Sequence, residues 1–318
     1  MGKKRSEIPS RSKWNLKAMY PNEKLWEDDF AQAKENAENY TKKYSGKLGK
    51  DAKTLLSAFR DADHVWQLTE KVFVYARMRR DEDNQVSKYQ TLCDRAQTLI
   101  AEVSAALSFF TPEFLSIPKK KLDAYMVSSA GLRKYTYSIE VIQRQKAHVL
   151  PKDQEHLMAQ LGEVLGSTGE VFTMLNNADL RFGKITDENA HKVELTHGNY
   201  ITFMESKNRK VRKAAFEGMY RVYDSHINAL ATNYAYNTKV DTVTSRIRGY
   251  NSALERALSA DNVPVRVYDN LIQTVGENLN LLHRYMNVRK EILKLPKLRM
   301  YDIYVPLFSL KNDKVSFK

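Results

Sequence analysis

Seven histidines are the residues of this sequence best suited to hold a catalytic metal, and their spacing tests that chemistry directly. They are His64, His148, His156, His191, His197, His226 and His283. A zinc site on one helix has the pattern H-E-x-x-H, in which two imidazoles four residues apart bind the metal and the glutamate activates water. No two histidines have that spacing, and Gln160 stands where a partner for Glu155-His156 would fall. The sequence therefore predicts no metal ligand and no catalytic residue of this kind.

The other common catalytic patterns are missing as well. The sequence has no G-x-G-x-x-G, Walker A or G-x-S-x-G motif, so it lacks the usual signatures of nucleotide binding and serine hydrolysis. Its single cysteine, Cys93, occupies an apolar helical position, and we interpret it as a small buried hydrophobe. The acidic clusters Glu27-Asp28-Asp29 and Asp81-Glu82-Asp83 fall on polar faces or at helix ends. We interpret them as solvated charge, because acid–base pairs need burial to shift their pKa values.

The positive charge of the chain raises the question of a nucleic-acid partner. Lys and Arg number 51 against 38 Asp and Glu, a net charge of +13. The densest basic segment is Lys207–Lys213, joined by Arg246 and Arg248. Phe216, Tyr220 and Tyr223 follow it at steps of four and three, which predicts a helix that buries an aromatic face and turns its basic side away. This pattern favours a solvated or domain-facing basic helix over phosphate binding, so we expect no nucleic-acid partner.

The elements that must position any site are predicted to be mostly helical. Only 12 Gly and 8 Pro interrupt 318 residues. Apolar residues at helical spacing predict helices over 23–44, from Asp51 onward, and over about 84–110, closed by Thr111-Pro112; together these form an antiparallel bundle. Two very long helices are predicted at 206–240 and 264–293. A chain beyond about 250–300 residues usually exceeds one core, so we expect one elongated body or two sub-domains.

One β-hairpin is predicted within this helical chain, over Asp179–Leu195. Leu180 and Phe182 alternate with polar residues before a turn, and Val193 and Leu195 alternate after it. The alternation slips by one residue near Gly183, which predicts a bulge there. The predicted fold class is therefore mostly α, a helical bundle with one small hairpin.

Several short blocks, in order along the chain, carry a family resemblance. They are Trp14-Asn15-Leu16 with Met19-Tyr20, Ala178–Phe182 with Ile185–Glu188, Leu195–Tyr200, Val211–Phe216, Arg248–Leu254, Val267–Ile272, His283–Met286 and Tyr301-Asp302. Together they resemble the N-terminal half of oligoendopeptidase F, a family of zinc oligopeptidases related to thimet oligopeptidase. A series of blocks in one order is far more specific than any single block. The turn residues Asn189-Ala190 depart from the family, in which a glycine would be expected.

The resemblance implies a cytoplasmic zinc metalloendopeptidase with a mostly helical fold and a deep cleft that admits short peptides. It implies a bundle over 1–111, family-specific helices and the hairpin over 112–200, and the start of a peptidase domain over 201–318. In the family, H-E-x-x-H and a downstream glutamate hold the zinc, and both belong to the second half. Zinc is therefore expected for the complete enzyme and not for this chain alone.

The hairpin is the candidate wall of that cleft, because an exposed strand edge can pair with an extended peptide. The candidate residues are Phe182, Val193, Leu195 and His197. Two other interpretations remain open at this point. In one, the hairpin serves only to cover the helical core; in the other, His197 takes part in a turn or helix cap beside Gly198.

The end of the sequence predicts a missing partner. The chain stops at Lys318 after an irregular connector, so we expect the absent catalytic half to be its partner and the chain alone to be inactive. Two alternatives are a self-sufficient basic helical module that binds nucleic acid or an acidic protein, and a partial gene product that folds poorly. A lone cysteine and no apolar run near the roughly 20 residues that span a bilayer predict a cytoplasmic protein without a membrane partner.

Overall fold

The computed structural model describes residues 5–308, and within this range the chain is mostly helical with one small antiparallel sheet, as predicted. The helices and strands of this range are α1 Glu23–Tyr44, α2 Ala52–Glu82, α3 Ser87–Leu107, α4 Phe110–Ser116, α5 Lys119–Ser128, α6 Ala130–Arg133, α7 Thr136–Arg144, α8 Lys152–Gln160, α9 Gly162–Met174, β1 Lys184–Thr186, β2 Lys192–Glu194, α10 His197–Met204, α11 Arg209–Ser225, α12 Ile227–Ile247, α13 Ala253–Ser259, α14 Val265–Glu277 and α15 Leu279–Ile292. The tail after residue 308, including the predicted end of the connector, lies outside the described residues.

The described chain forms two compact units. The bundle unit comprises Arg5–Ala178 and Asn233–Arg256, and the hairpin unit comprises Asp179–Thr232 and residues 257–308. The division into two compact units does not test the three domains predicted over 1–111, 112–200 and 201–318, so these domains stay a prediction.

The bundle unit is built on α1, α2 and α3, which pack against one another as predicted. The Asn22 side chain accepts the N–H of Leu25 at 3.1 Å, and Asp51 accepts the N–H of Thr54 at 2.7 Å, so two polar side chains cap the first two helices. Trp26 is fully buried, and its indole N–H donates to the carbonyl of Val72 at 2.9 Å. One interlocked apolar core therefore orders this unit.

The apolarity of α3 has a second aspect. The stretch Ser87–Ser116, which includes α3 and α4, is long and apolar enough to cross a membrane by length and composition alone, contrary to our expectation. That test is weak, because helices that bury a face in a core pass it too. In α3, Leu92, Leu99 and Val103 are buried in the core that this helix forms with α1 and α2. The helix ends at Leu107, earlier than predicted, and Thr111-Pro112 lies in the first turn of α4.

In the hairpin unit, the structure corrects both predictions of very long helices. The predicted 206–240 helix is interrupted at His226, between α11 and α12, and the 264–293 helix at Asn278, between α14 and α15. Both residues leave helical geometry, with ψ of 12° and 9°. No Pro or Gly lies near His226, whereas Gly276 stands in the last turn of α14, two residues before Asn278; in both places the apolar spacing continues through the interruption.

Helix α11 buries a different face from the predicted one. Its buried residues are Val211, Arg212, Ala215, Gly218 and Met219. Gly218 has a structural reason, since a Cβ there would lie 3.1 Å from Leu195 Cδ2. A glycine lets the hairpin pack closely on α11, and this contact leaves the aromatic residues of the helix beside the buried face rather than on it.

Candidate functional site

The hairpin forms where the sequence predicted it. Strands β1 and β2 pair antiparallel, with Ile185 opposite Val193. The Asp187 carboxylate accepts the N–H groups of Asn189 and His191, each at 2.9 Å, and closes the turn. Ala190 takes the left-handed conformation, with φ of 62°, at the turn where a glycine was expected. A side chain at this φ is strained, so the Asp187 hydrogen bonds hold the turn against a local cost.

The apolar residues of the hairpin mostly face inward. Phe182 and Leu195 are buried, and Val193 is half-buried. The predicted slip in alternation is explained by Gly183, whose φ of 75° reverses the side-chain direction so that both Phe182 and Ile185 face the interior. Two of the four candidate wall residues thus pack inside the unit, and their contact with a substrate stays a prediction.

His197 is the exposed member of the candidate set. It is the first residue of α10, whose cap is formed instead by Thr196 and Asn199: the main-chain N–H of Thr196 donates to Asn199 Oδ1 at 2.8 Å. The imidazole meets the ring of Phe182 edge-on, with centroids 4.8 Å apart. His197 therefore does not form the helix cap, and it is exposed at the surface.

An aromatic strip, which the sequence analysis missed, continues from His197 along α11. Its members are Phe182, His197, Tyr223, Tyr220, Phe216 and Tyr301, with successive neighbours 4.5–6.5 Å apart between ring centroids. Tyr220 is 53% exposed, which corrects the prediction of a buried aromatic face. Burial, together with the nearby Tyr220 and Tyr304, raises the pKa of Tyr200 to about 12. Tyrosines that expose ring and hydroxyl together suit contact with apolar side chains and amides.

The outer edge of β2 offers little room for an added strand. The main-chain N–H and C=O groups of Val193 face Ile185 on β1. Those of its neighbours Lys192 and Glu194 therefore point away from β1. The Glu194 carbonyl already accepts Asn199 Nδ2 at 2.8 Å. A bound peptide could therefore form only a short ladder here, and the aromatic strip is the larger contact surface.

A buried carboxylate anchors the segment that carries Tyr301. Asp302 is fully buried and accepts from Arg209 Nε at 3.0 Å and Arg212 Nη2 at 2.8 Å, and from the N–H of Arg299 at 3.0 Å. Its own carbonyl accepts Arg289 Nε at 3.0 Å. Burial raises the pKa of Asp302, but the hydrogen bonds from Arg209 and Arg212 outweigh it and leave the pKa below its ordinary value.

The same contacts change the interpretation of the basic segment. Arg212 is buried against Asp302 rather than on the outer side of α11, contrary to the prediction. In the bundle unit, Arg248 forms a two-pronged pair with Glu155, at 2.8 and 3.0 Å. Arg209, Arg212 and Arg248 are therefore engaged in ion pairs within the protein.

The histidines do not assemble a metal site. Nδ1 of His148 lies 2.9 Å from the Arg248 carbonyl, and Nδ1 of His156 lies 3.0 Å from that of Ala105. Across residues 5–308, no three His, Cys, Asp or Glu side chains lie together so that they could hold a metal ion.

Other titratable groups have structural surroundings. Cys93 is fully buried, and burial raises the pKa of its thiol to about 11, which makes it a poor nucleophile. In the acidic clusters, Glu27 pairs with Arg95 at 2.6 Å and Asp29 with Lys71 at 2.8 Å. A polar cavity of about 450 Å³ in the bundle unit is lined by Arg80 and Glu170, which pair with each other at 2.6 Å.

Comparison with known proteins identifies the class. The family model described as Oligopeptidase F matches residues 113–182, and that of Peptidase family M3 matches residues 202–314; together they match more than half of the chain. The structure is similar to the crystal structure of oligoendopeptidase-F from Enterococcus faecium, with a TM-score of 0.85 and 36% identity over 91% of this chain and 57% of that one. The mostly helical fold with its small sheet is thus the fold of an M3 peptidase.

Sequence relatives narrow the class to one family. The chain is 39% identical to the Oligopeptidase PepF of Bacillus subtilis over 99% of its own length and 47% of that protein. It is 37% identical to the Group B oligopeptidase PepB of Streptococcus agalactiae, over 96% of this chain and 51% of that one. The chain belongs to the oligopeptidase F family, as the sequence blocks indicated. It spans about half the length of the curated relatives that it matches.

Proposed function

We propose that this chain is the non-catalytic part of an oligoendopeptidase F-like zinc peptidase, in which it forms one wall of a cleft that takes short peptides. The observation that carries the proposal is the match to oligopeptidases over nearly the whole chain but only about half of their length. The rest of such an enzyme supplies the zinc and the residue that activates water, and this chain alone is inactive.

The wall itself is the solvent-facing part of the aromatic strip, which includes His197 and Tyr220. An exposed tyrosine such as Tyr220 can pack on apolar side chains of a peptide and donate a hydrogen bond to a carbonyl without selecting one sequence. His197 adds a ring nitrogen at the end of the strip nearest the hairpin. Phe182 and Leu195 support this surface from inside, since both are buried.

Zinc chemistry enters only through the missing part. Catalytic zinc needs three protein ligands and an open position for water, and the described residues of this chain do not provide such a set. What this chain contributes is substrate contact and positioning, which give catalysis its orientation but not its nucleophile.

Metal analysis of the purified chain tests the proposal that the zinc is not held by this chain. The chain is loaded with excess zinc, dialysed against metal-free buffer and analysed for bound metal. We expect a zinc content far below one per chain, because isolated histidines release the metal. Zinc that remains at one per chain after dialysis would contradict the proposal.

A further inference from the structure

Two consecutive helices of the hairpin unit expose apolar side chains that the rest of the described chain covers only in part. Helix α14 has no buried residue, and α15 buries only Arg289. The large apolar side chains that are 41–60% exposed on these helices are Val267, Tyr268, Leu271, Ile272, Val275, Leu279, Leu281, Leu282, Tyr285, Val288 and Ile292. We call this set the α14–α15 face.

The residues of this face follow helical geometry, so their exposure is not scattered. On α14, Val267, Leu271 and Val275 stand four residues apart, with Tyr268 and Ile272 beside them. At 100° per residue these five positions form one stripe, of the kind that a helix turns toward a core. Contiguous exposed apolar surface of this extent marks an interaction site.

The face on α15 is wider still. Leu281, Tyr285, Val288 and Ile292 form one row, and Leu279 and Leu282 lie to one side of it. Together they occupy about half of the helix circumference, against the roughly 100° stripe of an ordinary surface helix. A helix apolar over half of its surface belongs in an interior. A small ligand or a single extended peptide is too narrow to cover it.

We propose that the α14–α15 face is the docking surface for the other half of the peptidase, a helical polypeptide that corresponds to the part of the relatives this chain does not match. This inference rests on the proposed function. The relatives supply the argument for the occupant: the chain covers 47% of PepF and 51% of PepB, so each carries about as much further polypeptide as this chain contains. Folded polypeptide of that size can cover both helices.

Co-expression with that half tests the docking surface. The chain is produced together with the half of the Bacillus subtilis Oligopeptidase PepF that it does not match, and the soluble complex is measured by sedimentation. We expect a one-to-one complex. The double variant Leu271→Glu, Leu282→Glu should weaken it by roughly a hundredfold or more, because an interface that buries an unpaired carboxylate is strongly disfavoured.

The matched control is the double variant Gln273→Glu, Asn287→Glu, which adds the same two charges to the opposite sides of α14 and α15. It should leave the complex intact. Since Leu271 and Leu282 are exposed in the chain alone, neither substitution should change its thermal unfolding midpoint appreciably, which separates loss of docking from loss of folding.

Three outcomes would overturn the inference. They are the absence of any complex with the unchanged chain, a complex that Leu271→Glu, Leu282→Glu leaves intact, and a homodimer of the chain that uses the same face. Failure here differs from failure of the proposed function. A lone chain that retains zinc would refute the proposed function whatever docks on α14 and α15, whereas a zinc-free chain that forms no complex would refute only the docking surface.

Discussion

At the scale of single residues, Asp302 shows how the chain uses its surplus of basic residues. Its carboxylate lies 93 positions from Arg209 in sequence yet accepts hydrogen bonds from Arg209 and Arg212. Arg212 is buried and needs a counter-charge, because an unpaired guanidinium in the interior is very unfavourable. Asp302 thereby joins the Tyr301 end of the aromatic strip to α11.

We predict that Asp302→Asn lowers the free energy of unfolding by about 3–5 kcal/mol, since it leaves the buried Arg212 without a charged partner. Chemical denaturation at neutral pH measures this. The control Asp123→Asn removes an exposed pair with Lys119 and should cost about 0.5 kcal/mol or less. Equal losses in the two variants would contradict the role given to Asp302.

The pH dependence of stability follows from the lowered pKa of Asp302. Because the folded-state pKa of Asp302 lies below its ordinary value, its contribution is present above the unfolded-state pKa of about 3.9 and is lost as pH falls through the folded-state value. The stability difference between the unchanged chain and Asp302→Asn should therefore shrink below about pH 4.

Sequence reasoning reached some of these residues and not others. It placed His197 in the candidate site from its position after the hairpin, and His197 is exposed there. It took Phe216, Tyr220 and Tyr223 for a buried face, because their period fits packing as well as it fits an exposed strip. The buried face of α11 is set by the close approach of the hairpin at Gly218. This is a tertiary contact, and the spacing of residues along the helix does not predict it.

At the scale of elements, helix starts were predictable and helix interruptions were not. The helix predicted from Asp51 onward begins there, and the Asp51 side chain caps it by accepting a hydrogen bond from the N–H of Thr54. The breaks at His226 and Asn278 carry no Pro or Gly at these positions, so the apolar period continued through them. The hairpin was confirmed because alternation and turn residues are both local signals.

Helix α9 contains glycines that its packing does not explain. A Cβ at Gly166 would meet no atom within 4 Å, whereas a Cβ at Gly131 in α6 would lie 2.5 Å from Leu56 Cδ2. We predict that Gly166→Ala raises the free energy of unfolding by about 0.5–1 kcal/mol, because alanine is the better helix former. Gly131→Ala should show no such gain, since Leu56 must move. Thermal unfolding of both variants measures the order, and a gain at Gly131 equal to that at Gly166 would contradict it.

At the scale of the whole molecule, the chain has the fold of its family and about half of its relatives' length. Sequence blocks predicted the family, and the comparisons confirm it. The exposed α14–α15 face is the observation on which the proposed docking of a second half rests. A cytoplasmic location stays a prediction. The cleft contacts of Val193 and His197 also stay predictions, because the spacing of residues does not reveal a contact with a substrate.

Peptide hydrolysis by the chain alone tests the central claim most directly. Purified chain is incubated with zinc and a short internally quenched fluorescent peptide, and cleavage is followed by fluorescence and mass spectrometry. We predict a rate equal to that of the blank without protein, because the proposed function puts the residues that hold the metal and activate water outside this chain. Cleavage by the chain that a chelator abolishes and added zinc restores would contradict the claim.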